Sequence, residues 1–104
     1  MMGCAMMSSD FTAKNKDLVQ AFYRASSKAI DWINENKGKP ALAKIISSYT
    51  RLPEERVLAL RLWPKLEKTV KPAAIDRVSQ AMLKYGLIKK QPTSTALIFA
   101  SAMG

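Results

Sequence analysis

Apolar and polar positions follow a helical period along most of this chain, and one stretch does so more broadly than the rest. From Asn15 to Asn36, at about 100° per residue, Leu18, Val19, Ala21, Phe22, Tyr23, Ala25, Ala29, Ile30, Trp32 and Ile33 share an arc of roughly 200°. Lys16, Asp17, Gln20, Arg24, Ser27, Lys28, Asp31, Asn34 and Glu35 fill the remainder. A surface helix ordinarily carries an apolar stripe of about 100° or a little more. An arc twice that wide needs cover on two sides, so part of its partner surface is expected to lie outside this chain.

The same periodicity, with its punctuation, predicts the other elements. Ser9 or Asp10 caps a short turn through Lys14, and Asn15 recaps before the long helix. Gly38 stops that helix, and Pro40 opens a second one through about Tyr49, with Leu42, Ile45, Ile46 and Tyr49 inward. Pro53 opens a third helix, with Glu54 and Glu55 in the first turn where the helix dipole favours acids. Val57, Leu58, Leu60 and Leu62 supply its apolar side up to Trp63-Pro64. Residues 64–71 form a basic connection. Pro72 then opens a fourth helix with Ile75, Val78, Ala81, Met82 and Tyr85 inward, Gly86 as its left-handed cap and Leu87 folding back. In the tail, Pro92-Thr93-Ser94 caps a last short helix over Ala96 to Ala102. Cys4–Ser9 reads as one short buried strand leading into the helices, which also accounts for Met6 and Met7 better than soft-metal binding does.

Composition narrows the chemistry. The chain has 104 residues, room for one domain at most, and an apolar content of 48% that suits a folded protein. Cys4 is the sole cysteine and histidine is absent. An internal disulfide and Ser-His-Asp or Cys-His catalysis are therefore excluded, and a zinc or copper site has almost no ligands to draw on. Asp10, Glu54 and Glu55 are explained as helix-start acids, so no catalytic residue, metal ligand or cofactor is assigned, and the chain is not read as an enzyme. Trp32 lies within the apolar arc and is expected in the core; Trp63 is expected to pack at a helix end. The N-terminus MMGCAMMSS has neither a basic start nor a long apolar run, so it is not read as a signal peptide. No stretch has the length and apolarity of a membrane span.

Net charge is +9 and uneven: residues 1–60 carry nine basic and six acidic groups, and residues 61–104 carry eight and two. A basic helical domain that binds nucleic acid is one alternative reading. The distribution argues against it. Arg24, Lys28, Asp31 and Glu35 mix signs on one face, and Lys65, Lys68, Lys71, Lys89 and Lys90 sit in connections and helix ends. The fourth helix starts Ala73-Ala74-Ile75-Asp76, which offers little for base readout.

One further pattern is a matter of resemblance. The run S-x-F-x-x-x-N-x-x-L-V-x-A-F-x-x-A-x-x-x-A-x-x-W-I-x-x-N is formed by Ser9, Phe11, Asn15, Leu18, Val19, Ala21, Phe22, Ala25, Ala29, Trp32, Ile33 and Asn36. It resembles the C-terminal part of periplasmic substrate-binding proteins of ABC transporters, of the nitrate/sulfonate/taurine type that includes thiamine-precursor binders. Tyr49-Thr50, Leu52-Pro53-Glu54-Glu55, Trp63-Pro64 and Tyr85-Gly86-Leu87-Ile88 follow in the order that family has, so the resemblance spans roughly residues 5–98. Lys16 stands where the family often has proline.

The resemblance implies a mostly α chain, the helical C-terminal segment of an α/β type II periplasmic-binding-protein fold. Residues 1–104 would form a single partial domain, with 4–9 as the strand returning across the hinge and 10–104 as a helical array. It implies capture of a small organic or inorganic anion between two lobes and delivery to an ABC permease. The family pocket is lined mainly by preceding sequence, so no ligand-binding residue is carried over; Ser8 and Ser9 lie nearest the expected hinge. The parent is expected to be periplasmic, with its export signal upstream of Met1, whereas this chain as written would stay in the cytoplasm. Its partner is either the N-terminal part of the same fold or another copy of the chain. The latter is the alternative of a self-associating helical module.

Overall fold

Six helices run through residues 3–99, the part of the chain described by the computed structural model. They are α1 (Ser9–Lys14), α2 (Lys16–Asn36), α3 (Pro40–Thr50), α4 (Glu54–Leu58), α5 (Pro72–Lys84) and α6 (Ser94–Leu97). The fold is mostly α, and no strand occurs among the described residues. Residues 4–8 lack regular structure, so the short strand expected there does not form. An extended segment with no second strand beside it leaves its backbone groups to water and gains nothing from pairing. Met1 and Met2 lie outside the described residues.

The chain forms two compact units, Ala25–Glu67 and Met1–Arg24 with Lys68–Gly104. In the first, the C-terminal half of α2 is followed by α3, α4 and an irregular connection. Gly38, at φ +72°, supplies the left-handed turn that ends α2, and Pro40 takes the first turn of α3. Arg51 ends α3 in the same left-handed region, at φ 62°, with its N–H bonded to the Ser47 carbonyl at 2.9 Å. The Ser47 hydroxyl donates to the Leu52 carbonyl at 2.6 Å, fixing the exit of the chain. Val57 of α4 and Leu42 and Ala43 of α3 form the buried centre of this unit.

Helix α4 is shorter than the apolar pattern predicted. It ends at Leu58, and Leu62 is 90% exposed. On a helix Leu60 would stand opposite Leu58 and Leu62, so the three leucines do not make one stripe. Pro64 also disfavours helical geometry at Trp63. The connection that follows is held by α2. The Asn34 side chain donates to the Leu66 carbonyl at 2.9 Å and accepts the Leu66 N–H at 3.2 Å, pairing with that backbone as a neighbouring strand would.

In the second unit, Ser8 caps α1, one residue ahead of the expected position, its hydroxyl oxygen accepting the Phe11 N–H at 3.2 Å. Asn15 breaks α1 from α2 by turning back: both its backbone and its side-chain N–H donate to the Phe11 carbonyl, each at 3.0 Å. At the end of α5 the Gly86 N–H bonds the Leu83 carbonyl at 3.2 Å and the Leu87 N–H the Met82 carbonyl at 2.8 Å. This is a Schellman cap around a glycine at φ +75°. Leu87 does not fold back as expected; it is exposed, and Ile88 is the half-buried residue. The inward side of α5 is also turned from its predicted position. Ser79 is buried, donating its hydroxyl to the Asp76 carbonyl at 3.1 Å, while Val78, Ala81 and Tyr85 are exposed. The last helix covers Ser94–Leu97 and gives way to extended backbone at Ile98; residues 100–102 of the predicted helix lie outside the described residues.

Candidate functional site

The broad apolar arc of α2 is divided lengthwise. Ile33, Ser26, Val19, Ile30 and Tyr23 occupy one sector of about 80°, and all are buried or half-buried. Ala21, Trp32, Ala25, Leu18, Ala29 and Phe22 occupy the adjoining sector of about 100°, and all are exposed. Val19 is 5% accessible, against 58% for Leu18, 50% for Phe22 and 39% for Trp32. Half the arc is thus covered within this chain and half is not. Trp32, expected in the core, stands on the open side.

Within the Ala25–Glu67 unit the open sector continues onto α3. Ala29, Trp32 and Ile33 of α2 and Leu42, Ile45, Ile46, Tyr49 and Thr50 of α3 line a groove of about 520 Å³. The four α3 residues predicted to point inward do share one side, but only Leu42 is buried; Ile46 is half-buried, Ile45 is exposed and Tyr49 is 86% exposed. Ala29 leaves room at the floor, and Trp32 and Tyr49 supply large apolar surfaces. The Thr50 hydroxyl is already committed, donating to the Ile46 carbonyl at 2.8 Å and accepting the Leu52 N–H at 3.3 Å. The groove therefore has the chemistry to exclude water from an apolar surface. It lacks the array of free donors that an oxyanion requires.

The other candidate residues do not assemble a site. Asp10, Glu54 and Glu55 are exposed, each in the first turn of its helix. Cys4 is exposed, and no cluster of three or more potential metal ligands occurs among the described residues. Lys65, Lys68, Lys71, Lys89 and Lys90 are all exposed; the first belongs to one unit and the other four to the other. Lys65 pairs with Glu67 at 3.0 Å, both side chains largely exposed, and such a pair contributes little. Lys84 lies 5.7 Å from the centre of the Tyr85 ring. Trp63 is half-buried. No helix among the described residues is long and apolar enough to cross a membrane.

Sequence reasoning missed Asn34. Periodicity puts it on the solvated side of α2, yet it is the contact that fastens the connection to the helix. The available signal was its position at the border of the apolar arc, next to Tyr23 and Ile30, where an amide can bond backbone that a charged side chain would not. Comparison of the chain with protein-family models, curated protein sequences and solved structures finds no match.

Proposed function

We propose that this chain is the C-terminal helical portion of the solute-binding component of an ABC transporter for small anions of the nitrate, sulfonate or taurine type. The observation that carries the reading is the division of α2. A helix whose apolar arc is half covered and half open is built for a larger body than the one present. The order of motifs from Ser9 to Ile88 supports the same origin. In the parent, the remaining part of the fold would cover the open sector, the solute would be held by that part, and the closed form would dock on a membrane permease. The parent would act in the periplasm.

Two measurements test this reading. Sequencing the DNA upstream of Met1 is expected to find a continuation, in frame or shifted, that encodes alternating strands and helices behind an export signal. An unrelated gene or a promoter directly upstream would refute the proposal. Calorimetry of the isolated chain with taurine, alkanesulfonates and nitrate is expected to give no heat of binding, because the groove offers no free donors. Micromolar binding of any of them would show that the solute site lies in these residues after all.

A further inference from the structure

We propose that the groove of the Ala25–Glu67 unit is a self-recognition surface, taken by the α2 helix of a second copy running antiparallel. The inference does not depend on the transport reading; it follows from the residues that edge the open sector.

Three observations select a second copy as the occupant. The first is charge. Lys28 and Glu35 are exposed, lie on the same border of the open sector beside Trp32, and are two helical turns apart. A two-fold axis between them brings Lys28 against Glu35 of the second copy and Glu35 against its Lys28. The second is shape. The same antiparallel register sets Trp32 opposite Ala29 of the second copy, so the largest side chain of each strip meets the smallest of the other. The groove beside Ala29, about 520 Å³, receives the incoming indole between Ile45 and Tyr49. The third is area. Trp32, Ile45 and Tyr49 leave roughly 300 Å² of apolar side chain in water, judged from the area aromatic side chains bury, and two-fold symmetry doubles it. That total, about 600 Å² before the stems of the flanking charged residues are added, is below the range of stable interfaces and fits a weak, reversible association. Helices that meet through a/d-type positions with opposite charges alongside choose their register and direction in this way.

The test is sedimentation equilibrium over a micromolar-to-millimolar concentration series with four proteins: the wild type, K28E, E35K and K28E/E35K. The expected result is a reversible wild-type dimer. Each single reversal weakens it by about tenfold, because two attractive contacts become repulsive. The double variant recovers wild-type affinity, since the pairs are restored with signs exchanged. Both positions are exposed, and circular dichroism checks that each variant keeps its helical content. A chain that remains monomeric throughout overturns the proposal, including one whose groove takes up an apolar dye as a monomer. So does association that ignores the single reversals, or a double variant as weak as the singles. The dimer is that of this chain alone: in the transport parent the remaining part of the fold would cover the same sector, and the upstream DNA decides the parentage whatever the association.

Discussion

Replacing Asn34 by alanine is expected to loosen the connection after α4 while leaving the helices intact. The wild-type side chain makes two hydrogen bonds to Leu66, at 2.9 and 3.2 Å, across 32 residues of sequence in a part-buried setting. At about 1 kcal/mol net for each bond, N34A removes about 2 kcal/mol, and less to the extent that water reaches the freed Leu66 groups. For a chain near this size that corresponds to a fall in melting temperature of roughly 10 °C. N34D separates the two bonds. It keeps the acceptor for the Leu66 N–H but sets a carboxylate oxygen against the Leu66 carbonyl, so at neutral pH it is expected to be no better than N34A. Protonating the introduced carboxyl restores a donor, which raises its pKa in the folded state. The penalty is therefore absent in acid and grows as pH rises through the carboxylate range. Circular dichroism melts at several pH values, together with hydrogen exchange at the Leu66 amide, measure these effects. An N34A protein with an unchanged melting temperature and equally slow exchange at Leu66 would refute the role given to Asn34.

Other expected effects are simpler. Val57 is 1% accessible at the centre of its unit, and V57A is expected to cost about 2 kcal/mol in urea unfolding, from lost apolar burial plus an unfilled cavity; no loss would mean that α4 is not packed there. Gly86 sits at φ +75° with open space around its missing side chain, so G86A meets no steric clash and is expected to lose only about 1 kcal/mol of backbone energy. Arg51 holds the corresponding conformation without being glycine, and R51G is expected to leave stability unchanged or raise it by up to about 1 kcal/mol. Thermal melts of these two variants check both signs.

Helix boundaries were legible where the sequence carries local chemistry that only one conformation satisfies. Gly38 and Gly86 mark left-handed residues, Pro40 and Pro72 mark first turns, and α2, α3 and α5 start and stop close to where these residues predict. The side of α3 formed by Leu42, Ile45, Ile46 and Tyr49 was equally visible, because spacing alone fixes which residues share a side. What spacing does not fix is how much of that side is covered. Periodicity places Trp32 and Tyr49 inward, yet they are 39% and 86% exposed, because coverage depends on segments that periodicity does not describe. In α5, Ser79 is buried and Val78 is not: a hydroxyl that bonds the Asp76 carbonyl within its own helix enters packed surroundings at little cost, so its polarity misled the prediction. The overlong prediction for α4 came from counting leucines without asking whether their spacing makes a stripe.

The central claim is that α2 presents one covered and one open apolar sector. Hydroxyl-radical footprinting with mass-spectrometric readout, performed on dilute protein so that self-association is suppressed, tests it residue by residue. The account predicts that Leu18, Phe22 and Trp32, 58%, 50% and 39% accessible, oxidise at a substantial fraction of their unfolded-chain rates, while Val19, 5% accessible, is strongly protected and half-buried Ile30 and Ile33 are slowed more than the open sector. Equal protection of both sectors in the monomer would contradict it.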